Sequence, residues 1–360
     1  MRAEDDARAI RTLVAGDQFV LNRLLIDALH AEIGDRLAIT GRSLDWPVLP
    51  FGEVAEVREA AGTEELLLGL VPGIEIAVTE MAPFTARVLA AADALKLIVV
   101  CRGGPVNVNL QAAAERGIPV CYTPGRNAAA TAEYTIGLLL AAMRRLAEGH
   151  TDLLRGVWRG DFYAYEEAGV ELEGKIAGLV GFGAVGRRVA RVLAAFGATV
   201  LVADPYVDRE DVASSGARLV TLDELLPRAH VLSLHARLTP ETRHIISAAE
   251  IARLPRGAVL VNAARGGLLD HDALCDALAT GHLRAAALDV YDPEPPPPDS
   301  RLFSTPHLVL SPHLAGASRE TAERAAHIAA AEVGRYLRGE PLRFVANPGA
   351  LTATDSNSSC

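Results

Sequence analysis

Short apolar runs alternate with helical patterns along almost the whole chain, and this alternation restricts the fold more than any other feature. A first series contains RTLVAG, RLAIT, EIAVTE, LKLIVV and IPVCYT. A second series begins at Lys175 and contains KIAGLVG, ATVLVAD, AHVLSLH, GAVLVNAA, RAAALDV and HLVLSPH. Strands separated by helices form βαβ units, and uniformly apolar strands are typical of sheets with helices on both faces. We therefore predict an α/β fold built on parallel sheets.

The length of 360 residues favours two domains, because single cores stop growing at roughly 250–300 residues. Between the two series, residues 129–155 read as one long interdomain helix. A last helical run follows Ser318 and ends at Gly339, with Pro341 just beyond it. This run is placed to return to the first domain.

Composition excludes several classes of partner. The net charge is −10 and no basic stripe is present, so we expect no nucleic-acid partner. The N-terminal decapeptide is acidic, and no stretch reaches the roughly 18 apolar residues of a membrane helix. We therefore expect no membrane association and a cytoplasmic protein.

The four cysteines lack metal-binding or disulfide spacing, and we expect buried free thiols and no metal site. They are Cys101, Cys121, Cys275 and Cys360.

A glycine-rich segment, GLVGFGAVG, follows the strand KIAGLVG and opens a helix. Gly181, Gly183 and Gly186 have GxGxxG spacing. The first glycine permits a tight turn, the second lets a pyrophosphate approach the backbone, and the third lets the helix lie close to the strand. The helix N-terminus supplies N–H groups for phosphates. The segment therefore predicts a dinucleotide site, the alternative being a glycine turn that only packs a helix.

Asp204 ends the next strand, eighteen residues after the last glycine. A carboxylate there accepts hydrogen bonds from ribose hydroxyls and repels a 2′-phosphate. The next two residues are Pro205 and Tyr206, with no arginine to receive such a phosphate. These features favour NAD over NADP.

Three polar residues follow strands of the second series: Arg265, Glu294 and His313. Residues just past the carboxyl ends of parallel strands can converge. An arginine binds a carboxylate in bidentate geometry, a histidine transfers a proton at a carbonyl oxygen, and a carboxylate orients the imidazole. Taken singly they could be a surface ion-pair partner, a solvated loop charge and a helix-entry residue. Together with the glycine segment they predict hydride transfer to a 2-keto acid.

Several motifs in a fixed order make the sequence similar to the D-isomer-specific 2-hydroxyacid dehydrogenases. The resemblance runs over residues 95–316 and rests on LKLIVVCRGGPVNVNL, AAERGIPV, TPGRNAAATAEYTIGLLL, LEGKIAGLVGFGAVG, LTPETRHII, VNAARGGLLD, ALDVYDPEP and SPHLAGAS. It implies that Arg265 binds the substrate acid, that His313 is the acid/base and that Glu294 is its partner.

The resemblance also implies further site residues. Gly103 and Gly104 would present N–H groups to the substrate carboxylate, together with Arg265 and His313. The residues expected along the cofactor, besides the three glycines and Asp204, are Ala184, Val185, His235, Ala236, Ala263, Ala264, Arg265, Asp289, His313 and Gly316.

The resemblance implies an inserted domain arrangement. The NAD-binding Rossmann domain, residues 129–316, would be inserted in a flavodoxin-like substrate domain, residues 1–128 and 317–346, with the active-site cleft between them. Residues 347–360 would form a disordered tail. Family members are usually homodimers, so Leu153, Trp158 and Phe162 belong either to a dimer interface or to the core.

Two further arginines bear on the substrate. Arg102 follows the strand LKLIVVC, and Arg126 lies in TPGRNA. They could bind a second anionic group such as a phosphate, phosphonate or carboxylate, or they could brace loops through hydrogen bonds to carbonyls. Substrate choice is expected to lie in residues 80–84 and 102–105.

Two alternatives to the dehydrogenase remain at this point. Formate oxidation is disfavoured because that branch typically pairs its histidine with glutamine, whereas this chain has Glu294. A non-catalytic NAD-sensing module, like the corepressors of the same family, also keeps the Arg, Glu and His residues. A measurement of turnover distinguishes this sensing module from the dehydrogenase.

Overall fold

The computed structural model describes residues 8–49 and 51–351, which divide into two units. The first unit comprises residues up to Arg126 and from Ala317 onwards, and the second comprises Asn127–Gly316. None of the helices in the described residues has the length and apolar character that a membrane crossing requires.

The first unit is built on a five-stranded parallel sheet with strand order β2-β1-β5-β6-β7. A small antiparallel pair, β3 with β4, lies outside that sheet. Its elements up to the second unit are β1 (Ile10–Gly16), α1 (Asn22–Ile33), β2 (Leu37–Ser43), β3 (Gly52–Val54), β4 (Val57–Ala60), α2 (Glu64–Leu68), β5 (Ile76–Thr79), α3 (Ala86–Ala91), β6 (Leu97–Val100), α4 (Leu110–Glu115) and β7 (Val120–Tyr122).

The second unit is built on a seven-stranded parallel sheet with strand order β10-β9-β8-β11-β12-β13-β14. This is the doubly wound order, whose topological switch point lies between β8 and β11. Its helices and strands are α5 (Ala128–Met143), α6 (Leu146–Leu154), β8 (Ile176–Val180), α7 (Ala184–Ala195), β9 (Thr199–Ala203), α8 (Arg209–Ala213), β10 (Ala217–Leu219), α9 (Leu222–Leu225), β11 (Val231–Leu234), α10 (Ala248–Arg253), β12 (Ala258–Asn262), α11 (His271–Ala279), β13 (Leu283–Leu288) and β14 (Leu308–Leu310). Short 3-10 helices span Gly160–Tyr163, Leu226–Arg228, Gly266–Leu268 and Arg301–Phe303.

The last helix, α12 (Arg319–Arg338), returns to the first unit, as predicted. The hydroxyl of Ser318 accepts the N–H of Thr321 at its start, and Gly339 ends it in the left-handed conformation with φ +67°. Its alanine-rich face packs with α1 on one side of the five-stranded sheet. Helices α2, α3 and α4 cover the other side.

Both faces of the seven-stranded sheet are also covered, as the apolar strands predict. Helices α5 and α7 pack on one face, and α9, α10 and α11 pack on the other. The parallel sheets and the α/β class expected from the sequence are confirmed.

The single long helix expected over residues 129–155 is wrong, because the structure has two helices, α5 and α6. Arg145 separates them with φ +55°, a conformation that an L-residue adopts at some cost. Its guanidinium binds Glu148, 2.9 Å away, and Glu167. These local ion pairs stabilise the break between α5 and α6. Hydrophobic periodicity does not reveal them, because they depend on contacts between charged side chains.

The predicted tail begins too early. Asn347 is buried, its amide nitrogen donates to the carbonyl of Ile118 at 2.9 Å, and its amide oxygen accepts from Val120 N at 2.8 Å. Residues 352–360 lie outside the described residues, and Cys360 is one of them. The other three cysteines are buried free thiols, as expected.

Candidate active site

The glycine-rich turn after β8 is shaped by close backbone contacts. A Cβ on Gly181, whose φ is +96°, would lie 2.5 Å from Ala236 N, and a Cβ on Gly186 would lie 2.6 Å from the Gly181 carbonyl oxygen. Both positions therefore require glycine. A Cβ on Gly183 would meet no atom within 4 Å, so the space beside this residue is open. The turn leaves room for a ligand at the middle glycine only.

Helix α7 opens directly after this turn. Its first residues are Ala184 and Val185, and no side chain caps its N-terminus. The free N–H groups and the positive end of the helix dipole favour an anion there. The turn and the uncapped helix together fit the pyrophosphate of a dinucleotide.

Asp204, just past β9, is held against the glycine-rich turn. Its Oδ2 accepts from Phe182 N at 2.7 Å, and its Oδ1 accepts from Tyr206 N at 2.9 Å. Each carboxylate oxygen can accept a second hydrogen bond. The backbone thus fixes the carboxylate in a position suited to ribose hydroxyls.

His235 and Ala236 follow β11 and border the same turn, since their backbone atoms are the ones that a Cβ on Gly181 would strike. The Nε2 atom of His235 lies 2.9 Å from the hydroxyl of Ser233. Desolvation lowers the pKa of His235 to about 4. Its imidazole is therefore neutral near pH 7 and adds no charge to the turn.

His313 and Glu294 form a hydrogen-bonded pair. His313 Nδ1 lies 2.5 Å from Glu294 Oε1, and both side chains are partly exposed. The sequence predicted this pairing from residues nineteen positions apart. Within the described part of the chain His313 Nε2 makes no hydrogen bond, so it can meet a substrate oxygen.

A buried carboxylate holds the loop that carries His313. Asp289 is completely buried, and its two oxygens accept from Leu314 N and Ala315 N at 2.8 Å each. The hydroxyl of Ser311 also donates to Asp289. His313 itself has φ +54°. Because an L-residue is strained in that conformation, the flanking hydrogen bonds are what keep the histidine in place.

Arg265 follows β12, and buried Asn262 fixes its backbone. The Asn262 amide donates to the Arg265 carbonyl at 2.9 Å and accepts from Ala264 N at 3.0 Å. The guanidinium is exposed and donates to the Ala264 carbonyl at 2.7 Å. Among the described residues it has no carboxylate partner, which leaves its charge available for a substrate acid.

The first unit carries the other predicted substrate residues. Gly103 and Gly104 follow β6, and neither N–H donates a hydrogen bond within residues 8–49 and 51–351. Arg102 donates to the carbonyl of Glu59 at 2.8 Å and binds its carboxylate. Arg126 binds Glu80 at 2.8 Å. Both arginines thus brace neighbouring segments, which is one of the two alternatives that the sequence left open.

The comparison with known families decides the class of the chain. Residues 136–315 match the family model described as D-isomer specific 2-hydroxyacid dehydrogenase, NAD binding domain. The chain belongs to this family. The dinucleotide that the second unit binds is accordingly NAD, which agrees with the open glycine turn and with Asp204.

Individual 2-hydroxyacid dehydrogenases and their structures are similar to this chain. The D-3-phosphoglycerate dehydrogenase of Methanocaldococcus jannaschii is 40% identical over 82% of this chain and 56% of its own length. The hydroxypyruvate reductase of Thermotoga maritima is 37% identical over 76% of this chain and 87% of its own. A Thermus thermophilus protein of known structure has a TM-score of 0.77 and 34% identity, covering 94% of this chain and 100% of its own. The chain therefore spans little more than half the length of the phosphoglycerate dehydrogenases that it matches.

The remaining predicted residues of this 2-hydroxyacid dehydrogenase family member lie at the same edge of the second sheet. Ala263 and Ala264 follow β12, and Ala263 is buried. A Cβ on Gly316 would lie 2.8 Å from the Asn127 amide nitrogen, so this glycine permits close packing at the start of α5. Contact between NAD and these residues, or Asp289, stays a prediction.

Several supporting residues were missed by reasoning from the sequence. Asn262 and Ser311 gave one weak signal, since each is a polar residue at the end of an apolar strand. Glu59, which binds Arg102, and Tyr134, whose hydroxyl lies 2.8 Å from the Ser311 hydroxyl, gave none. Their roles depend on partners that are distant in the sequence.

Proposed function

We propose that this chain catalyses the NAD-dependent interconversion of a small 2-hydroxy acid of D configuration and its 2-keto acid. The observation that carries the proposal is the hydrogen bond between His313 Nδ1 and Glu294 Oε1. It pairs an acid/base residue with an orienting carboxylate at the strand edge that carries the dinucleotide turn. The configuration follows from the name of the matched family.

His313 transfers the proton. In the reduction direction its Nε2–H donates to the carbonyl oxygen of the keto acid, and in the oxidation direction neutral Nε2 accepts the hydroxyl proton. Glu294 holds Nδ1, so that the other ring nitrogen points toward the substrate.

Arg265 binds the carboxylate of the substrate. Its guanidinium can form two parallel hydrogen bonds to the acid and can polarise the adjacent carbonyl. Gly103 and Gly104 are the other predicted donors for a carboxylate, and their N–H groups make no hydrogen bond within residues 8–49 and 51–351.

NAD, when bound, supplies or receives the hydride. The residues that would hold it are Gly181, Gly183 and Gly186 at the pyrophosphate and Asp204 at the ribose. Glu294 argues against formate oxidation, since that branch of the family typically carries glutamine at the corresponding position.

The test is NADH consumption, followed by absorbance, with a panel of 2-keto acids. We expect turnover in the wild type and a loss of about 100- to 10,000-fold in kcat for His313→Ala. The matched control is His327→Ala, an exposed histidine on α12 whose loss leaves turnover unchanged. Arg265→Gln should mainly raise KM for the keto acid. NADH binding without turnover on any substrate would favour the NAD-sensing alternative.

We also propose that the protein is a homodimer. Leu153 is 57% exposed and Trp158 is 82% exposed, so the core alternative for these two residues is wrong. Phe162 lies between the guanidinium groups of Arg145 and Arg159, 4.0 and 3.9 Å from its ring centre. An exposed apolar surface with rigidly held neighbours is typical of a protein interface.

Light scattering tests this proposal. Trp158→Asp should halve the mass of the particle, while Phe303→Asp, which changes an exposed aromatic residue elsewhere in the unit, should not. A monomeric wild type would contradict it.

The three buried free thiols suit a reducing compartment, and we place the protein in the cytoplasm. Cell fractionation tests that location.

A further inference from the structure

Two arginines near the proposed substrate loop are neutralised by carboxylates of their own unit. From this pairing we infer that the substrate carries no second negative charge and is a monoanionic 2-keto or 2-hydroxy acid. The inference rests on the proposed function and makes its substrate class more specific. It selects one of the chemistries that the sequence left open and excludes a phosphate, a phosphonate or a distal carboxylate.

The loop Arg102–Gly103–Gly104 is where one carboxylate would bind. The loop follows the carboxyl end of β6, and the N–H groups of both glycines are without a hydrogen bond in the described chain. A Cβ on either glycine would meet no atom within 4 Å. Two consecutive free N–H groups beside open space suit one anion. The charges around this loop decide whether a second anion is tolerated.

Arg102 is the nearest cation in the sequence, and it is already engaged. Its Nη1 donates to the Glu59 carbonyl at 2.8 Å and its Nη2 binds the Glu59 carboxylate. Only 14% of the Arg102 side chain is exposed. The guanidinium is thus held inward, against β4, with its charge compensated.

Arg126 is also largely buried, and one of its three guanidinium nitrogens is engaged, whereas Nε and Nη1 have no hydrogen-bond partner among the described residues. Its Nη2 binds Glu80 Oε1 at 2.8 Å, and 2% of the Glu80 side chain is exposed. A second carboxyl, Asp17, is buried within hydrogen-bonding reach of Glu80. Burial raises the pKa of both acids, that of Glu80 to about 8, so the two share a proton near pH 7.

The net charge of the two arginines and their three acidic partners is therefore zero near pH 7. Arg102 with Glu59 is neutral, and Arg126 with the singly protonated pair of Asp17 and Glu80 is also neutral. Loss of the shared proton makes the group negative. A second anion would have to displace the Glu59 carboxylate from Arg102, or bind beside the negatively charged pair of Asp17 and Glu80, which repels it. A keto acid whose second substituent is neutral, such as a hydrogen, a methyl or a hydroxymethyl group, has no such penalty.

The test compares two keto acids that differ by one phosphate, hydroxypyruvate and 3-phosphohydroxypyruvate, on the full chain at pH 7. We expect kcat/KM for hydroxypyruvate to be higher by about tenfold or more, because like charges oppose the phosphorylated acid. Glu59→Gln removes the carboxylate that balances Arg102 and should shift the ratio about fivefold or more toward the phosphorylated acid. Glu80→Gln leaves the charge of Asp17 to balance Arg126 and should leave the ratio unchanged. The control is Glu53→Gln, an exposed residue of β3, which should leave the ratio unchanged.

Each outcome separates this inference from the function on which it rests. Turnover with a preference for 3-phosphohydroxypyruvate overturns the inference alone. An unchanged ratio in a folded Glu59→Gln variant also overturns it, because the pairing of Arg102 with Glu59 is then not the cause. Glu59 is only partly buried, so we expect its variant to fold and to test the inference. No turnover of any 2-keto acid overturns the proposed function as well.

Discussion

The hydroxyl of Tyr134 lies 2.8 Å from the hydroxyl of Ser311, which in turn donates to the buried carboxylate of Asp289. Tyr134 is on α5, whereas Ser311 begins the loop that carries His313. The hydroxyl of Tyr291 adds a bond of 2.9 Å to the Ser311 carbonyl. One chain of hydrogen bonds thus runs from a helix to the loop of the acid/base residue.

Tyr134→Phe should lower kcat by up to about tenfold, because it removes one hydrogen bond from this chain and loosens the His313 loop. Affinity for NADH, measured by fluorescence, should stay unchanged, since the glycine turn is untouched. The control is Tyr336→Phe, a half-buried tyrosine of the first unit. If Tyr134→Phe also lowers the residual activity of a His313→Ala variant, Tyr134 does not act through His313.

Gly183→Ala and Gly186→Ala should differ in their effects on thermal stability and on NADH affinity. At Gly183 the added methyl enters open space, so we expect normal thermal stability and a loss of NADH affinity. At Gly186 it would lie 2.6 Å from the Gly181 carbonyl oxygen, so both stability and affinity should fall. Calorimetry and NADH titration of the two proteins measure the difference. Equal losses of stability would contradict the open space at Gly183.

Gly266→Ala should destabilise the protein by about 1–3 kcal/mol or prevent folding, since its Cβ would lie 1.9 Å from the Tyr291 carbonyl oxygen. The matched control is Gly137→Ala in α5, where a Cβ meets nothing within 4 Å. There the helix propensity of alanine should give about 0.5–1 kcal/mol of stabilisation. Urea unfolding measures both changes. A neutral Gly266→Ala would show that the Arg265 and Tyr291 segments can move apart.

Glu80→Gln should become more stable relative to the wild type as the pH rises from 5 to 9. The pKa of Glu80 is about 8 in the folded protein and 4.5 without the protein environment, because burial disfavours the charged form. Between these values the folded state holds a proton that the unfolded state has lost. The stabilisation from that proton, complete at low pH, is lost as the pH rises through 8. Thermal unfolding of both proteins at pH 5, 7 and 9 tests this, and a constant difference in Tm would contradict it.

The sequence predicted the main strands because nearly all of them lie in apolar runs. It did not predict β3, β4 or β10, which are three or four residues long. Each of these three strands contains a charged residue, whereas the equally short β7 and β14 lie in the apolar runs IPVCYT and HLVLSPH. The break at Arg145 was missed for another reason, since it depends on ion pairs between side chains.

The candidate site divides in the same way. The glycine turn, Asp204 and the His313–Glu294 pair were predictable, because strand ends and motif spacing place them together. The partner of Arg102 was not, since Glu59 lies 43 positions away on an unpredicted strand. Charge compensation of this kind depends on tertiary contacts, and a count of arginines near a loop does not reveal it.

The return of α12 to the first unit also sets an order for folding during synthesis. Ala325, Ala326 and Ala329 are core residues of a sheet whose strands all lie before residue 123. Helix α1 covers part of the same face of this sheet early, but the ribosome must complete about 200 further residues before α12 can cover the rest. The second unit, whose chain is continuous, has its whole core by Gly316. We expect the part of the protein that is made first to finish folding last.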